Sequence, residues 1–232
     1  MPDMKSDSRI YVALDLPSVE EARAMVETLG ESVSAYKVGL QLLPIGGAEF
    51  CRELKAMGKS VFADFKLHDI GATVEKATRS VASLGVDHLT VHARPQVMRA
   101  AAKGADGTDL RVLGVTVLTS LDKDDLRAIG HEQTAEALVM LRAGQAVAAG
   151  IQGVVSSPLE ANALRARVPD TFDIVTPGVR PAGAAKGDQQ RVATPVDAIR
   201  LGATHIVVGR PITQNGDPRA AALRIVEELR GA

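Results

Sequence analysis

The feature that most constrains the fold is an alternation, repeated along the whole chain, of short apolar runs and longer amphipathic segments. Short runs rich in β-branched residues predict buried strands, whereas apolar residues recurring every three to four positions predict helices. Regular alternation of the two is typical of a parallel sheet joined by crossover helices. Strands are predicted at residues 10–15, 35–40, 60–66, 88–92, 111–118, 153–156, 173–177 and 205–209. Helices are predicted between them, among others at residues 19–29, 47–57, 74–84, 134–149, 159–167, 195–201 and 218–229.

Eight such units in 232 residues predict a closed (β/α)₈ barrel, or TIM barrel, that occupies residues 1–232 as a single domain. Helix boundaries agree with this division, because Ser18 precedes an acidic first turn and glycines follow several predicted helices. The Pro- and Gly-containing segment 177–187 is predicted to be a long loop within one unit. A doubly wound open sheet remains the alternative, because it is built from the same units.

Composition limits the classes of function. The 27 Lys and Arg residues are scattered among 28 Asp and Glu residues, so no polyanionic partner is predicted. The chain has no apolar run of about 18 residues and no apolar signal segment near its N-terminus. Its single cysteine, Cys51, cannot form an intrachain disulfide. We therefore predict a soluble, cytoplasmic protein that binds neither nucleic acid nor membranes.

Charged residues stand at the ends of the predicted strands, where the active sites of such barrels lie. Asp64 and Lys66 close the third strand, and strand alternation places them on one face. Lys37 interrupts the second strand, and Asp69 follows the third. Together these four residues would form a network of alternating charge that holds each ammonium charged and oriented. Such a network suits a reaction that develops a carbanion, which needs fixed positive charge and a correctly placed proton.

Two alternatives to this interpretation concern the same residues. Asp64 and Lys66 are also consistent with a structural ion pair that caps the barrel. Lys37 is also consistent with a lysine that extends from a strand edge to solvent.

The last two units predict a phosphate site. Gly209 and Arg210 follow the eighth strand, where many barrels bind phosphate with backbone amides, and Arg210 adds a bidentate donor. The seventh strand is followed by Arg180 and by a loop that carries Gln189, which we interpret as a mobile lid over the phosphate. A surface loop without function is the alternative.

Other chemistries lack their motifs. None of the five histidines has a metal-ligand spacing such as His-Glu-x-x-His, and His92, at the end of the fourth strand, suits either a structural role or the barrel mouth. The chain has no nucleophile elbow, Walker loop or dinucleotide glycine motif after a strand. We therefore predict neither a metal site nor an organic cofactor.

Residues 64–73, with the sequence Asp-Phe-Lys-Leu-His-Asp-Ile-Gly-Ala-Thr, resemble the signature D-x-K-x-x-D-I-G-x-T of orotidine 5′-phosphate decarboxylases. Segments at other strand ends are similar to motifs of that family and follow in the same order. These segments are residues 13–15, 37–39, 115–120, 176–181 and 208–213. The resemblance spans nearly the whole chain and is closest to the bacterial members.

The resemblance implies decarboxylation of orotidine 5′-monophosphate to UMP, without cofactor, as the last step of pyrimidine nucleotide synthesis. It implies that Lys66 protonates C6 of the pyrimidine and that Asp64 lies beside the substrate carboxylate. Further contacts with the substrate are implied for Asp15 and Lys37 (ribose hydroxyls), Thr119 (pyrimidine), Pro177, Arg180 and Gln189 (seventh unit), and Gly209 and Arg210 (phosphate).

The resemblance also implies a homodimer with composite active sites. In such a dimer, Asp69 and Thr73 would reach the ribose-phosphate of the substrate in the neighbouring subunit, and Ile70 would be a further substrate contact.

Two other functions share features of this sequence. Sister barrels of the 3-keto-gulonate-6-phosphate decarboxylase and hexulose-phosphate synthase type share the D-x-K-x-x-D core and use Mg²⁺. They carry a glutamate where this chain has Lys37, whose ammonium would repel a divalent cation. A non-catalytic sensor of phosphate ligands would be expected to lack Lys66 or Asp64.

Overall fold

The computed structural model describes residues 6–181 and 193–230. Within these ranges eight parallel strands close into a barrel in chain order, with the first strand paired to the eighth. The strands are β1 Ile10–Ala13, β2 Ala35–Gly39, β3 Ser60–Leu67, β4 His88–His92, β5 Arg111–Val115, β6 Gly153–Val155, β7 Asp173–Thr176 and β8 His205–Val208. The predicted (β/α)₈ barrel is confirmed, and the open-sheet alternative is wrong.

Helices follow the strands and cover the outside of the barrel. They are α1 Val19–Leu29, α2 Gly47–Ala56, α3 Gly71–Ala82, α4 Pro95–Ala105, α5 Lys123–Ala128, α6 Ala135–Ala149, α7 Ala161–Arg165, α8 Pro195–Arg200, α9 Arg210–Thr213 and α10 Pro218–Arg230. Several helices begin after a side chain that caps their N-terminus. At α1, for example, the hydroxyl of Ser18 accepts a hydrogen bond from the backbone N–H of Glu21. In the described ranges, no helix has both the length and the apolar character needed to cross a bilayer.

Each strand begins at the residue predicted from the sequence, but all strand ends except that of β4 differ. β3 extends one residue further, to Leu67, and β5 ends at Val115, three residues before the predicted end. Helices α4, α5 and α9 lie outside the helical segments for which bounds were predicted. α4 begins at Pro95, whose fixed φ suits the first position of a helix, and no side chain caps it.

The barrel interior is a small apolar cluster separate from the large core between strands and helices. It contains Tyr11, Phe62, Leu113, Val175 and Val207, all less than a tenth exposed. Alternation along the strands directs these side chains inward. They separate two polar layers of the interior, one at each end of the barrel.

The lower polar layer lies where the strands begin. The guanidinium of Arg111 donates to an oxygen of Asp173 at 2.5 Å, and Nε2 of His88 lies 3.1 Å from the same oxygen. His205 completes a group in which the potential ligand atoms of His88, Asp173 and His205 lie within 4.8 Å of one another. Sequence spacing did not predict this group, because its members come from different strands. The Arg111 guanidinium already supplies a positive charge to the Asp173 carboxylate. The contacts therefore form a cluster of paired polar side chains at this end of the barrel.

The His205 imidazole predicts a pH-dependent stability. Burial, with a smaller contribution from His88, lowers the pKa of His205 to about 4, whereas an unfolded histidine titrates near 6.5. Because the unfolded chain binds a proton that the folded chain resists, the free energy of unfolding is expected to decrease as the pH falls from about 6.5 to 4. The expected decrease is up to about 3 kcal/mol.

Urea unfolding at several pH values between 4.5 and 7 measures this effect in the wild type and in His205→Gln. The variant is expected to lose part of the pH dependence. Asp173, whose pKa is lowered by His88 and Arg111 despite burial, loses its own contribution only below about pH 4, outside this window. Equal pH dependence in the two proteins would contradict the assignment to His205.

Candidate active site

A cavity of about 500 Å³ opens at the carboxyl ends of the strands, the end where barrel enzymes carry their sites. Its floor is formed by interior side chains such as Phe62 and Val207, and its walls by strand ends and the loops after them. The sequence-predicted residues that line it are Asp15, Lys37, Asp64, Lys66, Thr119, Pro177, Arg180, Gly209 and Arg210. Its volume lies within the range of small-molecule sites.

Four charged side chains form a continuous chain of contacts in this cavity. Lys66 Nζ lies 2.8 Å from Asp64 Oδ2, and Lys37 Nζ lies 3.5 Å from the same oxygen. On its other side, Lys37 Nζ lies 2.9 Å from Oδ1 of Asp15. The side chains of Lys37 and Asp64 are 9% and 13% exposed, so the low local dielectric strengthens each contact. The order of contacts is therefore Asp15, Lys37, Asp64, Lys66.

This arrangement keeps its buried members ionised. Burial alone would raise the pKa of the Asp64 carboxyl, but Lys37 and Lys66 hold it below its ordinary value. Burial alone would lower the pKa of the Lys37 ammonium, but Asp64 and Asp15 raise it. The cavity thus presents fixed charges that need no rearrangement when charge develops on a bound molecule.

The backbone of Lys66 is unusual. Its φ is +49°, and it is the one non-glycine residue of the described ranges with a positive φ. The pairing of β3 with β4 shifts at this point, since Ala63 pairs with Leu89 but Leu67 pairs with Val91. The backbone N–H of Lys66 donates to Oγ1 of Thr90 at 3.0 Å, and this hydroxyl donates to Oδ1 of Asp64 at 2.8 Å.

Gly39 leaves space for the charged chain. A Cβ atom at this position would lie 2.8 Å from Oδ1 of Asp15 and 2.9 Å from Nζ of Lys37. A Cβ atom here would displace the ends of these two side chains, so glycine lets the two charged groups meet over the end of β2.

Asp69 does not join the charged network of its own chain, which corrects the network predicted from strand alternation. The chain leaves β3 after Leu67, and Asp69 is exposed and accepts a hydrogen bond from the backbone of Ile70. Ile70 is 72% exposed, and Thr73 is exposed as well. None of these three residues lines the cavity of the single chain.

The seventh and eighth units each bring an arginine to the cavity. Gly209 precedes the short helix α9, whose first residue is Arg210. Arg180 follows β7, and its backbone N–H donates to the carbonyl of Ala193 at 2.9 Å. Gln189 and most of the predicted lid lie outside the described residues.

Several cavity residues were not predicted from the sequence. They include Gln41, Ser156 and Gln214. Thr90, which contacts Asp64 but does not line the cavity, was not predicted either. Single polar residues after strands have no spacing that distinguishes them from ordinary loop residues. His92 also does not line the cavity; its ring lies 4.9 Å from that of His68.

The fold and this cavity define a (β/α)₈-barrel enzyme with a buried lysine–carboxylate network at the carboxyl ends of its strands. Residues 8–225 match the sequence model of the "Orotidine 5′-phosphate decarboxylase / HUMPS family". The chain belongs to this family.

Curated relatives and solved structures agree with this assignment. The chain is 56% identical to an orotidine 5′-phosphate decarboxylase from Caulobacter sp. (strain K31), over 98% of this chain and all of the relative. It is 52% identical to the protein of the same name from Rhodopseudomonas palustris (strain BisA53), over 99% of this chain and 97% of the relative. The crystal structure of the Lactobacillus acidophilus enzyme superposes with a TM-score of 0.85 at 35% identity, covering 96% of this chain and 99% of that one.

Proposed function

We propose that the protein decarboxylates orotidine 5′-monophosphate to UMP, the last step of pyrimidine nucleotide synthesis, as a single catalytic domain over residues 1–232. The main support is the contact of Lys66 Nζ with Asp64 Oδ2 inside a cavity at the strand ends. It is supported by 56% identity over the full length of a relative that carries this name.

The cavity suggests how the nucleotide is held. Arg210 and the backbone at Gly209 bind the 5′-phosphate, assisted by Arg180 and Gln189 from the seventh unit, because guanidinium and amide groups are the ordinary phosphate donors. Further contacts are proposed for Pro177 (seventh unit), Asp15 and Lys37 (ribose hydroxyls) and Thr119 (pyrimidine).

The reaction breaks the bond between C6 and the carboxylate. Carbon dioxide leaves, the electron pair stays on C6, and the Lys66 ammonium stabilises this charge and donates a proton to it. The Lys66 amine then regains a proton from solvent. The 2.8 Å contact between Lys66 and Asp64 supports a positioning role for Asp64, which directs the ammonium toward C6.

Lys37 supports chemistry without a divalent metal. Its ammonium lies between Asp15 and Asp64, the carboxylates that a cation in this cavity would use as ligands. A dication would have to displace a buried, paired ammonium, which costs both Coulomb energy and desolvation. We therefore propose that the protein uses no cofactor.

We propose a homodimer whose active sites are shared. Asp69, Ile70 and Thr73 are exposed and lie outside the cavity of their own chain, which supports a role at the site of a partner. A two-fold axis would then give two equivalent sites, each with Lys66 from one chain and Asp69 from the other.

The function is tested by following the absorbance of orotidine 5′-monophosphate with purified protein in excess EDTA. Loss of substrate with formation of UMP is the expected result. Failure to convert the nucleotide, together with Mg²⁺-dependent turnover of a keto-sugar phosphate, would favour the sister enzymes instead.

Gly39→Ala is expected to lower kcat/KM about tenfold or more while the protein stays folded. The added methyl group meets the mobile ends of Asp15 and Lys37, so these charges move whereas the strand stays in place. Steady-state kinetics and thermal unfolding measure the two effects. Gly144→Ala in α6 is the matched control, because its Cβ would have no neighbour within 4 Å. Unchanged kinetics of Gly39→Ala would show that this pair need not be held where the structure places it.

A further inference from the structure

We propose that Thr90 is a positioning residue for the decarboxylation, acting through its hydroxyl on both Asp64 and Lys66. The inference rests on the proposed function and adds a residue of β4 to the catalytic arrangement. Thr90 does not line the cavity and is fully buried. Its effect on a bound nucleotide is therefore exerted through its two neighbours.

The first support is the backbone of β3. Between Ala63 and Leu67, four steps along β3 oppose only two along β4, from Leu89 to Val91. Regular pairing is thus interrupted opposite Lys66, whose φ of +49° is costly for a residue with a side chain. The Thr90 hydroxyl accepts a hydrogen bond from the backbone N–H of Lys66 at 3.0 Å. It thereby replaces the backbone carbonyl that would accept this bond in a regular pair of strands.

The second support is that the two oxygens of the Asp64 carboxylate have different partners. Oδ1 accepts the Thr90 hydroxyl at 2.8 Å, which leaves Oδ2 to the two ammonium groups. A hydroxyl has one proton to donate and lone pairs to accept, so one Thr90 can satisfy both contacts at once. These contacts fix the plane of the carboxylate. They therefore also fix the position of Oδ2, which attracts the Nζ atom of Lys66.

The burial of Thr90 makes these contacts rigid. Because Thr90 is fully buried, loss of either bond leaves a buried polar group unpaired, which is more costly than in an exposed site. The branched Cβ of Thr90 also restricts χ1. One side chain therefore sets both the backbone of the proposed proton donor and the orientation of its counter-ion.

The test is Thr90→Val, which keeps the shape of the side chain and removes the hydroxyl. We expect kcat to fall about tenfold to a hundredfold, because the Lys66 ammonium is misplaced relative to C6. The affinity for UMP should change less than about threefold. Thr90→Ser restores the hydroxyl and is expected to return kcat to within about threefold of wild type. Thr78→Val is the matched control, since Thr78 is buried and its hydroxyl has no hydrogen-bond partner among the described residues.

A folded Thr90→Val that binds UMP and keeps kcat within about twofold of wild type would overturn the proposal. If Thr90→Val does not fold, hydrogen exchange of the Lys66 amide in the wild-type protein decides instead. Slow exchange is expected from the bond to Thr90, and exchange at the rate of an exposed loop would refute it. Wild-type protein that does not convert orotidine 5′-monophosphate would refute the proposed function itself, whereas an active wild type with an equally active Thr90→Val refutes only the role of Thr90.

Discussion

Lys66→Ala is expected to abolish decarboxylation while the protein folds and still binds UMP. The substitution removes both the positive charge nearest to Asp64 and the proposed proton donor. Proton transfer and electrostatic stabilisation each contribute about 10²-fold or more, so kcat/KM should fall by at least about 10⁴-fold. Binding of UMP should change little, because the product carries no charge at C6 and its phosphate contacts remain.

Kinetics, calorimetric titration with UMP and thermal unfolding measure these expectations together. Lys59→Ala is the matched control, since Lys59 is a buried lysine just before β3, where its ammonium donates to the carbonyls of Gly30 and Val33. That variant is expected to lose stability and to keep its turnover per folded molecule. Near-normal turnover by Lys66→Ala would refute the assigned role.

A mixture of Lys66→Ala and Asp69→Ala is expected to recover activity that neither variant has alone. Asp69 is exposed and outside the cavity of its own chain, so we assign it to the site of the partner. After random exchange half of the dimers are mixed, and each mixed dimer has one intact site and one with both lesions. Activity should approach about a quarter of wild type per total subunit.

The control mixture combines Lys66→Ala with Lys37→Ala. Lys37 and Lys66 contact the same Asp64 within one chain, so each site of a mixed dimer carries one lesion and no activity should return. Mass spectrometry establishes that subunits have exchanged in both mixtures. Mixed dimers of Lys66→Ala and Asp69→Ala without activity would place Asp69 in its own subunit and refute the shared site.

The start of each strand could be predicted because a buried parallel strand requires a continuous apolar run, and such runs stand out between amphipathic segments. Strand ends were less predictable, since β5 ends at Val115 although apolar residues continue to Leu118. Helix α4 received no bounds from the sequence because no side chain caps its start and a run of small residues from Ala100 to Ala102 weakens its apolar period.

The pairing of Asp64 with Lys66 followed from the period of two along a strand, and its place followed from the barrel. The predicted network of charges does not extend to Asp69, because the chain turns away from the cavity after Leu67, and a position outside its own cavity was implied only by the family resemblance. The role proposed for Thr90 could not be predicted from the sequence, because threonine is common in strands. The register shift that brings its hydroxyl to Lys66 depends on the pairing of two strands.

Turnover in D₂O tests both whether the protein decarboxylates the nucleotide and whether Lys66 protonates C6. Purified protein is incubated with orotidine 5′-monophosphate and EDTA, and the product is analysed by proton NMR and mass spectrometry. We expect carbon dioxide and UMP with one deuterium at C6 for the wild type, and unconverted substrate for Lys66→Ala. Unconverted substrate with the wild type, or labelled UMP at an undiminished rate with Lys66→Ala, would contradict this expectation.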